Sequence, residues 1–314
     1  MSDQIAWGGV LLAVLAGALR SGTPIAFAAI GETLAERSGV INLGVEGMML
    51  MGAMVGVVVQ VKTQNPVLSV LAAGLAAAAL ATVHAFITIY LNGNQLVSGI
   101  GLSIVGTGLS GFLGRPYVGV RFSGIDVWDI PLLNDLPIFG KVFFQQDPLV
   151  YLTIFAAAAV WFLLFRTRLG LHIRAVGEDP YAAYAQGVPV RRSRILAIIL
   201  GGFLSGIGGA HLSLAYTQLW AERMTAGQGL IAVGLVIVAG WHPVRVLLAT
   251  YLFGVLIVLH PNLQASGITV SPYILAALPY LFAVLALTLA TFVYVRKGQG
   301  LPEALAKEFN MGKE

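Results

Sequence analysis

Long apolar runs, separated by short clusters of charge, dominate this chain. Continuous runs occupy residues 67–91, 96–114, 149–165, 195–219 and 273–295; less regular ones cover 5–19, 39–59, 225–240 and 246–260. A helix needs about 20 apolar residues to cross a bilayer, so these runs are candidate crossings. They are continuously apolar rather than alternating, which predicts helices and not the strands of a transmembrane barrel. Residues 22–37 start apolar but carry Glu32, Glu36 and Arg37, with Pro24 near the start. That stretch reads as a half-helix or broken helix. The pattern predicts an all-α fold, a polytopic transmembrane helical bundle of nine or ten crossings with broken helices.

Composition strengthens the membrane reading. Apolar residues make up 58% of the 314 and charged ones 10%, against roughly 25% charged in an average soluble domain. Too few charges remain to coat a water-facing surface. The net charge of +4 does not point to nucleic acid, because the basic residues gather at the ends of apolar runs, where topology explains them. Cysteine is absent, which excludes disulfides, thiolate metal sites and cysteine nucleophiles. Met1-Ser2-Asp3-Gln4 is no positive leader and no small-residue cleavage site follows the first run, which argues against a removable signal peptide.

The positive residues also orient the chain. Loop 166–194 holds Arg166, Arg168, Arg174, Arg191, Arg192 and Arg194 and belongs in the cytoplasm. The tail 296–314 opens with Arg296 and Lys297 and is expected inside as well, after a permease domain over 1–295. Counting back places loop 115–147 outside; the side of the N-terminus depends on whether 22–37 crosses. At an offset of 182 residues, Glu46 to Gly52 falls opposite Gln228 to Gly234. Five crossings separate them, so the halves would be inverted, a common transporter plan.

Two stretches carry chemistry. In Gly39-Val40-Ile41-Asn42-Leu43-Gly44-Val45-Glu46-Gly47 the glycines disfavour helix, and Asn42 and Glu46 set a polar pair beside an apolar run. A carboxylate there must face water, protein or a solute path. It either caps a helix start, pairs with Arg37, or senses the solute. In Gly177-Glu178-Asp179-Pro180-Tyr181-Ala182-Ala183-Tyr184-Ala185-Gln186-Gly187, Asp179 can cap a short helix with Pro180 at its first position and Gly187 at its end. Such a slim helix, with Tyr181 and Tyr184 as anchors, suits a groove on a partner.

These stretches resemble the permeases of ABC importers for branched-chain amino acids, simple sugars and nucleosides. The wording from Gly31 to Gly47, with Asn94-Gln95-Leu96-Val97-Ser98-Gly99 and Met224 to Ala232, looks most like the nucleoside branch. The likeness covers roughly residues 20–295. It implies passage of a small polar solute, most simply a nucleoside, across the cytoplasmic (inner) membrane. The expected partners are an ABC ATPase subunit, a second and non-identical permease, an extracytoplasmic solute-binding protein and membrane lipid. Glu32, Asn42, Glu46, Asn94, Gln95 and Gln228 become candidate path residues. Gly177, Glu178, Asp179, Pro180, Ala182, Ala183 and Gly187 become the ATPase-coupling element, since 177–188 resembles the coupling loop of these permeases. A sugar or branched-chain amino acid permease is the alternative. An ion-coupled transporter using Glu32 and Glu46 as proton sites is disfavoured by that loop.

Other signals carry little. Gly106-Thr107-Gly108-Leu109-Ser110-Gly111 matches a dinucleotide fingerprint by letter but lies in an apolar span with no preceding strand, so close helix packing explains it better, as for Gly52, Gly56, Gly202 and Gly206. No phosphate-binding loop for ATP occurs. His84, His172, His211, His242 and His260 lack ligand spacing and read as interfacial or singly packed. No nucleophile–base motif supports an enzyme, and no cofactor is expected.

Overall fold

In the computed structural model, which describes residues 2–129, 140–265, 272–297 and 302–305, the first two expected segments are one helix. Helix α1 (Ser2–Arg37) continues through Pro24, so residues 22–37 are neither a separate half-helix nor broken. Proline removes one backbone donor. Beside it, the Thr23 hydroxyl donates to the Leu19 carbonyl at 2.7 Å, and Ser21 reaches across to the Gly254 carbonyl at 3.0 Å. Glu32 and Glu36 had argued against a plain span. Both are buried among protein groups, so the cost of setting them in lipid does not arise.

The remaining helices are α2 (Val45–Thr63), α3 (Pro66–Ala85), α4 (Gln95–Gly114), α5 (Pro148–Arg166), α6 (Arg168–Glu178), α7 (Pro180–Ala185), α8 (Val190–Ala210), α9 (Gln228–Val238), α10 (Pro243–Ala265) and α11 (Pro272–Lys297). Their starts follow local chemistry. Asn65, Asn94, Asp147, Thr167 and Asp179 each accept a backbone N–H at a helix N-terminus, and three of those helices, α3, α5 and α7, have proline just inside. Helices α3 and α8 end in π-turns, Phe86–Tyr90 and His211–Tyr216. Among the described residues seven helices are long and apolar enough to cross a membrane, with two shorter apolar helices besides, Gln228–Val238 and Ala277–Ala290. The chain is a multi-pass helical membrane protein.

Packing follows an internal two-fold pattern. Helix α1 packs on α10 as α8 packs on α3, and α2 on α4 as α9 on α11; the pairs α1–α8 and α2–α9 map onto themselves. Each of the first two pairs has a glycine pressed on its neighbour's backbone: a Cβ at Gly22 would meet the Thr250 carbonyl at 2.8 Å, and one at Gly206 would meet the Ala73 carbonyl at 2.5 Å. A Cβ at Gly208 would meet the Pro24 carbonyl at 2.5 Å, where α8 crosses α1. Five long apolar helices run between the start of α2 and the start of α9, the odd number that the inverted arrangement expected from the sequence requires. Glycines at these crossings let backbones touch, which substitutes for the hydrophobic drive that lipid removes. Gly106 belongs to this set, resting on Gly47 rather than shaping a nucleotide loop.

Loop 115–147 is tied down where it is described. Trp128–Asp129 and Gln145–Gln146 form a two-residue antiparallel ladder. Ile125 N–H donates to the Leu214 carbonyl at 2.8 Å, and Gln60 donates to the Ser123 carbonyl at 2.8 Å. Residues 130–139 of this loop lie outside the described residues, as does most of the tail 296–314.

Candidate functional site

The start of α2 meets the start of α9, and Glu46 joins them. Helix α9 is too short to cross a bilayer alone and follows a non-helical segment, 217–227, in which Gln218, Arg223, Ala226 and Gly227 all have positive φ. Left-handed backbone at non-glycine residues is uncommon and costs energy unless its surroundings hold it. The Glu46 side chain holds the last part of it and the start of α9, residues 225–229. Its Oε1 accepts from the Thr225 hydroxyl at 2.5 Å and Gly227 N–H at 2.9 Å, and its Oε2 from Gly229 N–H at 2.7 Å. A carboxylate on exposed N–H groups at a helix start also suits the helix dipole. Arg37 is not its partner: that guanidinium donates to the Trp241 carbonyl at 3.1 Å. Gln228 sits in the first turn of α9, and its side-chain oxygen has no partner among the described residues.

Opposite, segment 38–44 is held by a buried polar network. Asn42 N–H donates to Glu32 Oε1 at 2.8 Å, and Gly44 N–H to the Asn42 side-chain oxygen at 3.0 Å. Ile41 N–H donates to Gln95 Oε1 at 2.9 Å, its carbonyl lies 3.1 Å from His84 Nε2, and Ser103 donates to the Leu43 carbonyl at 2.6 Å. These bonds replace the helical ladder that the glycines interrupt. Glu32 and Asn42 are 1% exposed and Gln95 6%, so none is open in this conformation. Asn94 lies beside Gln95, and its side chain caps α4 through Val97 N–H at 3.1 Å.

The hairpin α6–α7 has the local chemistry expected for it. Asp179 accepts from Tyr181 and Ala182 N–H at 2.9 and 3.0 Å, Pro180 follows, and Gly187 ends the turn at φ +78°. Tyr181, Ala182 and Tyr184 are exposed. Ala183, expected with Ala182 in the coupling element, points inward, packed with Val176 and Val190. Gly177 is also internal, and Glu178 is the last residue of α6.

A second polar cluster was not legible. Asp147, the cap of α5, lies 3.2 Å from His211 Nε2 and 3.6 Å from Arg20 Nε; Asp147 and His211 are wholly buried. Burial pushes the Asp147 carboxyl up, but His211 and Arg20 outweigh it and hold the group below its ordinary value. Arg20 also donates to the Ala215 carbonyl at 2.9 Å. The expectation of singly packed histidines therefore fails for His211. Residues 147 and 211 are 64 apart and share no spacing signal; only the π-turn beginning at His211 marks the place, as such turns often do.

Long apolar helices meeting through non-helical polar segments define a polytopic helical membrane protein. The chain belongs to the family described as branched-chain amino acid transport system / permease component, whose profile matches residues 14–293. It is 41% identical to a putative glucose ABC transporter permease protein, TsgC13, of Haloferax volcanii, covering 95% of this chain and 97% of that one. It is 34% identical to the nucleoside ABC transporter permease protein NupC of Lactococcus lactis, covering 88% and 91%. It is 32% identical to the guanosine ABC transporter permease protein NupQ of Bacillus subtilis, covering 89% and 92%. No solved structure matches.

Proposed function

We propose that this permease subunit passes a small polar solute inward, a nucleoside first, through a path beside the joint of α2 and α9. The joint at Glu46 carries this reading. Two helix starts there face one another through non-helical backbone, whose polar groups are satisfied by protein and can be re-satisfied by water or solute when the halves part. Nucleosides are uncharged and flat, so the amide of Gln228 and neighbouring hydroxyls suit them better than a fixed charge. An ABC ATPase docks on Tyr181, Ala182 and Tyr184 from the cytoplasm. A binding protein docks on loop 115–147 from outside, where Asp126 and Asp129 supply rim charge, and a second permease completes the path.

A simple sugar is the second reading, supported by the 41% identity to a putative glucose permease. Proteoliposomes containing this chain, a second permease, the ATPase and the binding protein separate the two. Uptake of labelled nucleoside that unlabelled glucose does not reduce supports the first. Uptake of labelled glucose that nucleosides do not reduce replaces it with the second, and ATP-independent uptake of either removes both.

A further inference from the structure

The turn Pro302–Leu305 lies at a meeting point of four elements. Ala304 N–H donates to the Gly177 carbonyl at 3.0 Å, and Leu305 N–H closes the turn on the Pro302 carbonyl at 2.9 Å. Pro302 and Ala304 are buried, and Leu305 packs on the main hydrophobic core that holds Leu164, Ile173 and Trp241. A Cβ at Gly39, which has φ +85°, would lie 3.2 Å from both the Ala304 methyl and the Ala304 carbonyl. The same Cβ would lie 3.1 Å from the Arg194 guanidinium, whose Nε donates to the Ser38 carbonyl at 3.1 Å. A Cβ at Gly177 would run into the Arg37 carbonyl. The end of α6, the end of α1, the start of α8 and the tail turn thus touch with no slack. Bare backbone at Gly39 and Gly177 makes that possible.

We infer that the turn Pro302–Leu305 is a wedge that carries movement of the α6–α7 hairpin into α1 and segment 38–44. This rests on the reading that the ATPase docks on α7. A close-packed interior shifts as a unit, because a contact already at van der Waals distance cannot shorten. Displacing α7 moves α6, and Gly177 then bears on Arg37 and Ala304 together. With the wedge in place, Gly39 and Ser38 must follow. Segment 38–44 leads directly to Asn42 and on to Glu46. Arg37 carries the same movement to the end of α9 through the Trp241 carbonyl, and the Trp241 indole, bonded to the Glu36 carboxylate, closes the ring. Without the wedge, Gly177 still bears on Arg37, but Gly39 and Ser38 lose the backing of Ala304 and the push reaches segment 38–44 through that one contact alone.

The test uses the full complex with two tail variants: deletion of residues 301–314, and Ala304→Leu, which forces a larger side chain into a slot now 2% exposed. Three quantities are read: ATPase retained on purification, basal ATP hydrolysis, and the ratio of stimulated to basal hydrolysis with loaded binding protein. Expected is normal ATPase retention and basal hydrolysis, with stimulation reduced about 5- to 10-fold, at the lower end of typical coupling between sites. Unchanged stimulation in either variant, with the ATPase retained, overturns the wedge. Tyr181→Ala with Tyr184→Ala is the separate control. If the ATPase stays bound there, the docking reading fails, whatever the tail variants do. Ala304→Leu keeps the whole backbone, so it decides the matter if the deletion fails to accumulate.

Discussion

Glu46 and Gly229 are so close that no side chain fits between them. Gly229 N–H donates to the Glu46 carboxylate at 2.7 Å, and a Cβ on residue 229 would fall 2.6 Å from the Glu46 nitrogen. Gly229→Ala must therefore part α2 from α9. Uptake in reconstituted vesicles should fall sharply and the melting temperature in detergent should drop, at a cost of about 1–3 kcal/mol as for other overpacked sites. A variant that melts and transports like the parent would show that the joint tolerates separation.

Three donors converge on the Glu46 carboxylate, and Glu46→Gln replaces one acceptor oxygen with an amide that cannot accept. One buried donor then loses its partner, a loss of about 1–3 kcal/mol. The expected variant melts earlier and still transports. Lost uptake at unchanged melting temperature, with an intact ATPase response, would assign the charge to solute handling rather than to capping α9.

On the α6–α7 hairpin, the inward turn of Ala183 separates two substitutions that look alike in sequence. Ala182→Glu should leave the hairpin folded and weaken stimulated ATP hydrolysis, because the new charge sits on the exposed face. Ala183→Glu should break the small cluster with Val176 and Val190 and lower expression first, since it buries an unpaired charge. Limited proteolysis within residues 178–190 distinguishes them: faster cleavage is expected in the second variant alone.

Asp147 gives a pH dependence of known sign. Its folded-state pKa lies below the ordinary value, so it contributes stability above an unfolded pKa of about 3.9, and that contribution is lost as pH falls through the folded value. Melting temperature should decline on acidification below about pH 4. Asp147→Asn should start lower at neutral pH and show a flatter acid limb. Equal slopes in the two proteins would place the acid-sensitive group elsewhere.

Much of this was readable beforehand because lipid leaves few options. Long apolar runs must become helices, and Asp179-Pro180 with Gly187 fixes both ends of a short one. The polar segment 39–47 stood out because its glycines interrupt an apolar run. What escaped notice depends on partners remote in the chain. Glu36 argued against a span until Trp241, 205 residues away, proved to bond it. His211 had no ligand spacing because its partner, Asp147, comes from a loop. Ala182 and Ala183 are chemically identical, and only the packing of Val176 and Val190 tells which one turns inward.

The partnership of Glu36 with Trp241 sets an order of events during biosynthesis. Helix α1 leaves the ribosome first, carrying a carboxylate whose bonding partner is encoded 205 residues downstream. At about 5–20 residues per second, roughly 10–40 s separate the two during translation. For that interval α1 cannot rest in bare lipid at low cost. It must linger beside the insertion machinery, or keep a proton on Glu36, until α9 and α10 arrive. Nascent chains stopped before residue 241 should therefore crosslink to the translocon through α1, and chains extended beyond α10 should let it go.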